Sequence, residues 1–363
     1  MNRPTPRDDL QALEGYHSPQ LDVDVRLNTN ESPLPPPPAF LDAWIDTLRA
    51  TPLHRYPDRA ASGLRRALGA SLGQPVGRVF CANGSNEVLQ TLMLTYGGPG
   101  RPALVVEPTY ALHAHIARIT GTPVVAIPRR SDFTVDPDAL VAAIGANDPA
   151  LVFLCSPNNP TGTVDAPEVL EAALGAGHAL VVVDEAYGEF AERSAIGEVS
   201  EERPLVVVRT YSKVWSLAAL RLGYCIAPTW VVDELDKVVL PYHLAAATQA
   251  AGTVALRFRE EMAARVRELV AEREHLLTGL SGIDGVEPLP SGANFVLFRV
   301  GTPGDVARAR TVWDRLVARR VLVRDFSAWP GVEGCLRVTV GTRGENDAFL
   351  TALEAAVRES EAR

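Results

Sequence analysis

The stretch LVVVRTYSK, residues 205–213, decides the fold class of this chain. Four apolar residues in succession, three of them β-branched, predict a strand that is buried on both faces, as in a parallel sheet covered by helices. A similar run, ALVVVDEAY at residues 179–187, lies shortly before it. Both runs end in polar and charged residues, and in open parallel sheets ligands bind at the carboxyl ends of the strands.

Further short apolar runs on both sides extend this pattern. They predict strands at residues 78–82, 103–107, 124–127, 150–155, 179–184, 205–209 and 222–227. Helical stretches such as residues 86–96 and 166–175 lie between them. The alternation predicts an α/β fold with a mostly parallel central sheet sandwiched by helices.

After Pro241 the pattern changes. A long charged helix is predicted at residues 245–280, followed by strands near 294–299, 321–324 and 336–340 and a helix at 305–318. These elements predict a smaller α+β domain. We therefore expect an N-terminal arm at residues 1–29, a large domain at 30–243 and a small domain at 244–363.

The composition argues against several classes of function. The chain has 363 residues and a net charge of −9, which disfavours a nucleic-acid partner because phosphate backbones require a basic face. No apolar run approaches the roughly 20 residues of a membrane-spanning helix, and the first ten residues lack the apolar stretch of a secretory signal. We expect a cytoplasmic protein without membrane contact. Its four cysteines are scattered singly, which predicts reduced thiols and no metal site.

Two strand ends carry uncharged groups suited to a ligand, although each has an ordinary explanation as well. NGSNE at residues 83–87 offers free backbone N–H groups at a helix start, where an anion can bind and where Ser85 or Asn86 can equally cap the helix. SPNNPTG at residues 156–162 provides side-chain amides, but its composition is also typical of a turn.

Charged residues mark three further places. Asp184 ends a buried strand, where a carboxylate is costly unless a cation or several donors meet it, so it indicates an ion pair or a cationic ligand. Burial lowers the pKa of a strand-end lysine such as Lys213 and makes its amine nucleophilic, whereas most lysines are solvated. Arg324 and Arg337 are suited to binding carboxylate or phosphate, or are exposed residues of an alternating strand.

Together these groups fit pyridoxal phosphate, in which a lysine Schiff base holds the aldehyde and an acidic residue pairs with the pyridinium nitrogen. The ordered set NGSNE, PTY, SPNNPTG, DEAY and TYSK, with Arg221 eight residues beyond Lys213, resembles the fold type I pyridoxal-phosphate-dependent aminotransferases. Five further segments are similar to the histidinol-phosphate aminotransferase family within them: LNTNESP (27–33), HRYPD (54–58), LPYHL (240–244), ANFVLF (293–298) and LRVTVGTR (336–343).

The resemblance implies a role for each matching residue. Lys213 forms the internal aldimine with the cofactor and moves the proton at the substrate's Cα, while Asp184 keeps the pyridine nitrogen protonated. Asn159 and Tyr187 donate to the 3-hydroxyl oxygen, and Tyr110 stacks on the ring. The cofactor phosphate is held by Ser85, Asn86, Thr210, Ser212 and Arg221.

The resemblance also implies partners and a substrate. Tyr56 corresponds to a tyrosine that reaches the cofactor phosphate of the neighbouring subunit, which implies a homodimer. Arg337 and Arg324, with Asn30 and Tyr16 nearby, bind the anionic group of the substrate. The implied reaction converts L-histidinol phosphate and 2-oxoglutarate to imidazole-acetol phosphate and L-glutamate, a step of histidine biosynthesis.

Three positions depart from many family members, which carry Asp where Asn86 stands, Tyr where His113 stands and ENP where ESP stands at residues 31–33. These changes bear on substrate preference more than on chemistry. An aromatic amino acid aminotransferase and a threonine-phosphate decarboxylase therefore stay open as alternatives. A cofactor-binding regulator would need a separate DNA-binding module, and no basic region is left over for one.

Overall fold

The computed structural model describes residues 3–11, 13, 15 and 19–361. Its strands are β1 (Val25–Leu27), β2 (Val79–Ala82), β3 (Ala103–Glu107), β4 (Val124–Pro128), β5 (Leu151–Cys155), β6 (Leu180–Asp184), β7 (Leu205–Thr210), β8 (Gly223–Ile226), β9 (Val286–Pro288), β10 (Phe295–Val300), β11 (Val321–Asp325) and β12 (Cys335–Thr339). Its α-helices are α1 (Asp8–Gln11), α2 (Pro38–Arg49), α3 (Ser62–Leu72), α4 (Gly84–Tyr96), α5 (Leu112–Ile119), α6 (Pro137–Asn147), α7 (Pro167–Gly175), α8 (Thr229–Val238), α9 (Ala246–Ala255), α10 (Arg259–Ser281), α11 (Val306–Ala318) and α12 (Arg343–Glu361).

The larger sheet of the described chain has seven strands in the order β2-β8-β7-β6-β5-β3-β4. The pairs from β7 to β4 are parallel, whereas β8 runs antiparallel to both β7 and β2. Two antiparallel steps return β2 to the direction of β7, so every strand except β8 ends at the same edge, and β8 begins there. The mostly parallel central sheet predicted from the sequence is confirmed.

Side chains of the central strands alternate between two apolar layers, as a strand's period of two requires. In β6, Val181 and Val183 pack into one hydrophobic cluster, while Leu180 and Val182 pack into another on the opposite face. Helices α2, α3, α6, α7 and α9 cover the first face, and α4, α5 and α8 cover the second. Because both faces are buried, the strand sequences are apolar throughout.

The smaller sheet has, within the described residues, five strands in the order β1-β11-β12-β10-β9. Strand β1 pairs in parallel with β11, with Val25 opposite Val321, and the other pairs are antiparallel. Helices α10, α11 and α12 pack on this sheet and share its core. Part of the predicted N-terminal arm is thus a strand of the smaller sheet. The division of the chain into these three segments stays a prediction.

The single helix predicted at residues 245–280 is wrong. A 3₁₀ turn at Leu256–Phe258 separates α9 from α10. Ala251 and Val254 of α9 pack in the core of the larger sheet, whereas Leu276 of α10 packs in the core of the smaller sheet. The 3₁₀ turn therefore lies where the chain passes from one core to the other.

Helix α4 begins at Gly84, two residues earlier than predicted. Glu87 in its first turn accepts hydrogen bonds from the backbone N–H and the side-chain amide of Asn83, which closes the start of the helix. Ser85 and Asn86 therefore lie inside the first turn instead of capping it. Backbone N–H groups in this turn have no partner within a helix and face outward along its axis.

The four cysteines are buried and free, which confirms the prediction of reduced thiols. No three His, Cys, Asp or Glu side chains among the described residues lie close enough to hold a metal ion. Within the same residues, every helix is too short or too polar to cross a membrane.

Leu104 of β3 is fully buried in the first apolar layer. We expect Leu104→Ala to lower the free energy of unfolding by about 2–5 kcal/mol, because it removes buried methyl groups and leaves a cavity. The matched control is Leu94→Ala on α4, where the leucine is exposed and the change should stay within about 0.5 kcal/mol. Urea unfolding gives the free energy of unfolding of both variants. If Leu104→Ala and Leu94→Ala lowered it equally, the burial of β3 between two apolar layers would be contradicted.

Candidate active site

A cavity of about 410 Å³ lies at the edge where the parallel strands end, and residues of both sheets line it. The predicted site residues that line this cavity are Asn30, Ser85, Asn86, Tyr110, Asn159, Asp184, Tyr187, Thr210, Ser212, Lys213, Arg221, Arg324 and Arg337. Tyr56 does not line the cavity of its own chain. Tyr16, also predicted, lies outside the described residues.

The register of three neighbouring strands brings the predicted residues together. Cys155 of β5 pairs with Asp184 of β6, and Asp184 pairs with Val208 of β7. The loops after β5 and β7 therefore leave the sheet beside Asp184. They carry Asn159 and Lys213, respectively, into the same cavity.

Asp184 is 1% exposed, and its carboxylate lies against a histidine. Its Oδ2 is 2.9 Å from Nε2 of His113 on α5, and its Oδ1 accepts a hydrogen bond of 3.0 Å from the backbone N–H of Ala186. An ionised carboxylate only accepts hydrogen bonds, so Nε2 of His113 carries the proton in this contact. The ring of His113 stacks on Phe153 with centroids 5.2 Å apart. His113 thus holds the Asp184 side chain in place.

Lys213 is a partly buried amine in a positively charged setting. Its Nζ donates a hydrogen bond of 3.1 Å to the backbone carbonyl of Thr29. Burial lowers its pKa to about 8, and the nearby guanidiniums of Arg337 and Arg221 act in the same direction. A lysine with such a pKa is partly neutral, and hence nucleophilic, near neutral pH.

The chain contains only two lysines, Lys213 and Lys237, although it has 35 basic Lys and Arg residues. Lys237 lies on α8, is 66% exposed at its side chain and pairs with Glu234. Because Lys237 is exposed, Lys213 is the lysine whose amine lies in the cavity, and the scarcity of lysine was a signal in the sequence that left only two candidates.

An anion-binding cup forms where α4 begins. Ser85 and Asn86 of its first turn line the cavity together with Thr210, Ser212 and Arg221. The Arg221 guanidinium approaches Gly84 so closely that a Cβ there would lie 2.7 Å from its Nη2. An anion at the start of a helix is stabilised by free N–H groups and by the helix dipole, and the guanidinium adds a full positive charge.

The two adjacent asparagines after β5 have different environments. Asn158 is fully buried, accepts a hydrogen bond from Thr109 and donates to the carbonyl of Pro108. Its role is to hold neighbouring loops together. The Asn159 side chain lines the cavity, where its Oδ1 accepts a short hydrogen bond from Arg337. Its amide nitrogen is thus the group able to donate to a ligand.

Tyr187 is oriented by residues from the N-terminal segment and from β12. Its hydroxyl accepts a hydrogen bond of 2.9 Å from the side-chain amide of Asn30. Asn30 is in turn fixed by Thr339, which accepts from its backbone N–H and donates to its Oδ1. Burial raises the pKa of Tyr187 to about 12, so its hydroxyl is protonated at neutral pH. Because the Tyr187 oxygen is the acceptor in the contact with Asn30, the hydroxyl proton of Tyr187 is available for a hydrogen bond to a ligand in the cavity.

Arg324 and Arg337 are directly opposite each other on the antiparallel strands β11 and β12. Like charges that face each other across two strands are unfavourable. Aromatic rings offset part of this cost, because the Phe326 ring lies 5.9 Å from the Arg324 guanidinium and 5.2 Å from that of Arg337. The two cations share one wall of the cavity, an arrangement suited to an anion with two negative charges.

Several residues at the site were not predicted. Asn28, Thr29, Phe326 and Trp329 line the cavity, and His113 lies behind Asp184. Asn28 and Thr29 belong to LNTNESP, so that motif was a usable signal for them. The available signal for Phe326 and Trp329 was two aromatic residues within four positions of a strand end.

The donor set fits pyridoxal phosphate. A cup of N–H groups, hydroxyls and Arg221 matches a phosphate, and the close approach of Gly84 and Arg221 is a cradle that a Cβ would fill. A buried carboxylate with one histidine partner matches a protonated pyridine nitrogen. Lys213, Asp184, Asn159, Tyr187 and the cup are the residues that would hold it, with Lys213 at the aldehyde.

The fold and the cavity define an enzyme with one reactive amine set among anion-binding groups. The chain belongs to the family "Aminotransferase class I and II", whose model matches residues 23–353. It is 46% identical over 362 residues to the histidinol-phosphate aminotransferase of Frankia casuarinae, covering 96% of this chain and 89% of that protein. It is 43% identical to that of Corynebacterium diphtheriae, covering 95% of this chain and 94% of that one.

A solved structure agrees in shape over nearly the whole chain. The histidinol-phosphate aminotransferase of Sinorhizobium meliloti, in complex with pyridoxal-5'-phosphate, superposes with a TM-score of 0.88 at 25% identity. The match covers 97% of each chain. The resemblance to this family is therefore confirmed, whereas the roles of individual residues stay predictions.

Competitive labelling with acetic anhydride tests the amine of Lys213, since only the neutral form reacts. We expect the labelling of Lys213 in the cofactor-free protein to rise with pH about a midpoint near 8, because burial disfavours its charged form. Mass spectrometry separates the two lysine peptides, and Lys237 serves as the internal control for reagent concentration. A midpoint near the ordinary 10.5 would contradict the buried setting of this amine.

Proposed function

We propose that this chain transfers the amino group of L-histidinol phosphate to 2-oxoglutarate, giving imidazole-acetol phosphate and L-glutamate in histidine biosynthesis, with pyridoxal phosphate as its cofactor. The observation that carries the proposal is the pair of facing arginines, Arg324 and Arg337, in the cavity of Lys213. Identity of 46% to a histidinol-phosphate aminotransferase over nearly the whole chain supports it.

The cofactor supplies an aldehyde that condenses with primary amines and a pyridine ring that accepts electrons from the substrate. Lys213 would hold the aldehyde and would also take the proton from the substrate's Cα. This second role needs a neutral amine. With a pKa of about 8, roughly a tenth of Lys213 is neutral at pH 7, compared with well under a thousandth of an ordinary lysine.

Three side chains around Lys213 hold protons where the reaction needs them. Asp184, fixed by His113, would hold the proton on the pyridine nitrogen. Tyr187 accepts a hydrogen bond from Asn30, and its own proton would go to the cofactor's 3-hydroxyl oxygen. Asn159 would donate to the same oxygen and also contacts Arg337, so the substrate-binding wall and the cofactor-binding wall share one side chain.

One anion pocket serves both halves of the reaction. Histidinol phosphate presents a phosphate and glutamate presents a carboxylate, and a guanidinium binds either group through two parallel hydrogen bonds. Arg337 is held for this purpose by the carbonyl of Asn28 and by stacking near Phe295, whose ring centroid is 4.9 Å away.

We also infer a homodimer that acts in the cytoplasm. Tyr56 is 80% exposed and stacks on Tyr242 with ring centroids 4.5 Å apart. Leu53 and Leu240, close to them in sequence, are exposed as well. Exposed apolar side chains grouped in this way favour burial against a partner, and a second copy of the chain would place Tyr56 at the cofactor phosphate of its neighbour.

Single-turnover kinetics tests the substrate. We expect the absorbance band of the loaded protein to change fastest with L-histidinol phosphate and much more slowly with phenylalanine or threonine phosphate, because only histidinol phosphate combines a ring with a phosphate for Arg324 and Arg337. Stopped-flow spectroscopy at equal concentrations provides the rates. Lys237→Ala is the matched control and should react like the wild type, whereas Lys213→Ala should not react.

A faster reaction with phenylalanine would make the protein an aromatic amino acid aminotransferase. Release of carbon dioxide from threonine phosphate would make it a decarboxylase. If no absorbance band develops when the protein is supplied with pyridoxal phosphate, the cofactor assignment itself is wrong.

Mixed dimers test the position of Tyr56. Lys213→Ala and Tyr56→Ala chains are each expected to be weakly active alone. Mixed and allowed to exchange, they should recover roughly a quarter of the wild-type activity per site, because half of the dimers are mixed and each has one intact site. The two variants are unfolded and refolded together so that their chains exchange, and the transaminase activity of the mixture is then measured. If Tyr56 acted within its own chain, mixing would restore nothing.

A further inference from the structure

Trp329 is an exposed aromatic side chain in a cavity that many polar and charged residues line. It is 36% exposed and lines the same cavity as Lys213, Arg324 and Arg337. The cofactor and the anion pocket account for the cations and amides of this site. They give no role to a large apolar surface that stays open to solvent at the same cavity.

The loop that carries Trp329 is held by hydrogen bonds within itself. Asp325 at the end of β11 accepts from the backbone N–H of Ser327, and the carbonyl of Ser327 accepts from Gly334. The Trp329 N–H donates to the carbonyl of Phe326, and the Trp329 carbonyl accepts from Val332. The backbone position of Trp329 is therefore fixed before any ligand binds, which lowers the entropic cost of binding.

Trp329 is joined through one ring to the anion pocket. Its indole packs edge-to-face on Phe326 with centroids 5.7 Å apart, and Phe326 is the ring that lies beside the guanidiniums of Arg324 and Arg337. A ligand whose phosphate is bound by the two arginines thus has the indole as the next surface along this wall.

The same loop reaches across to the larger sheet. A Cβ on Gly331 would lie 3.2 Å from Pro108, which directly precedes the cavity-lining residues Thr109 and Tyr110. The loop that carries Trp329 therefore lies on the side of the cavity where the two sheets approach each other. A planar group on the substrate would be enclosed between the loop after β11 and the segment after β3.

We propose that Trp329 is a specificity-determining residue whose indole contacts the ring of the amino donor. This inference rests on the proposed function, in which histidinol phosphate carries an imidazole and glutamate carries no ring. An aromatic face attracts both a neutral ring and an imidazolium cation. Trp329 would then favour histidinol phosphate while leaving the glutamate half-reaction unaffected.

The test compares Trp329→Ala with the wild type for each half-reaction. We expect KM for histidinol phosphate to rise about three- to twentyfold, and KM for glutamate to change less than about twofold. Trp329→Phe should recover most of the affinity because it retains an aromatic face. The matched control is Trp230→Ala, which removes a tryptophan of similar exposure, 42%, on α8 and should alter neither half-reaction.

A binding measurement separates recognition from turnover. Protein loaded with pyridoxamine phosphate cannot react with a second amine, so calorimetry gives the dissociation constant of histidinol phosphate directly. Phosphoethanolamine, which has the amine and phosphate but no ring, is the comparison ligand. Trp329→Ala should weaken histidinol phosphate and leave phosphoethanolamine unchanged.

Two outcomes would overturn the assignment: equal weakening of both ligands, which would make Trp329 a structural support of the loop, or no change in either. Failure of the proposed function has a different signature, in which the wild type itself reacts poorly with histidinol phosphate. In that case phenylalanine replaces histidinol phosphate as the ring-bearing ligand. Comparing the wild type with Trp329→Ala, Trp329→Phe and Trp230→Ala then decides the role of Trp329.

Discussion

The site depends on the parallel register of three central strands. Because β5, β6 and β7 are parallel and end at the same edge of the sheet, an amide, a carboxylate and an amine that are distant in sequence reach one cavity. The apolar layers on both faces of the sheet hold this register, since a slip of one residue would move every side chain to the opposite face. Packing far from the cavity therefore sets the distances within it.

Charge is distributed unevenly over the molecule. The net charge is −9, yet Arg221, Arg324 and Arg337 are concentrated around one cavity together with Lys213. Small anions respond to the local potential, so an acidic protein can bind phosphates and carboxylates while repelling larger polyanions. The same local field, added to burial, lowers the pKa of Lys213 and so raises the fraction of its amine that is neutral.

Much of the fold was predictable because strands buried on both faces have an unmistakable apolar pattern, and the motifs at their ends place most of the cavity residues. Contacts that depend on distant pairings were not. The carbonyl of Thr29 reaches Lys213 only because β1 pairs with β11, almost 300 residues away in sequence. The break between α9 and α10 was missed because each half has an ordinary helical pattern. The two helices are separate elements because α9 packs in the core of the larger sheet and α10 in the core of the smaller one.

The scarcity of lysine has a consequence for the chemistry of the whole surface. Arginine supplies nearly all the basic side chains of this chain, and a guanidinium keeps its proton and does not condense with aldehydes under ordinary conditions. Lys237 is therefore the one side-chain amine that competes with Lys213 for a carbonyl compound. A protein that works with a reactive aldehyde thus presents almost no other target for it, which limits adventitious modification and favours one aldehyde per chain.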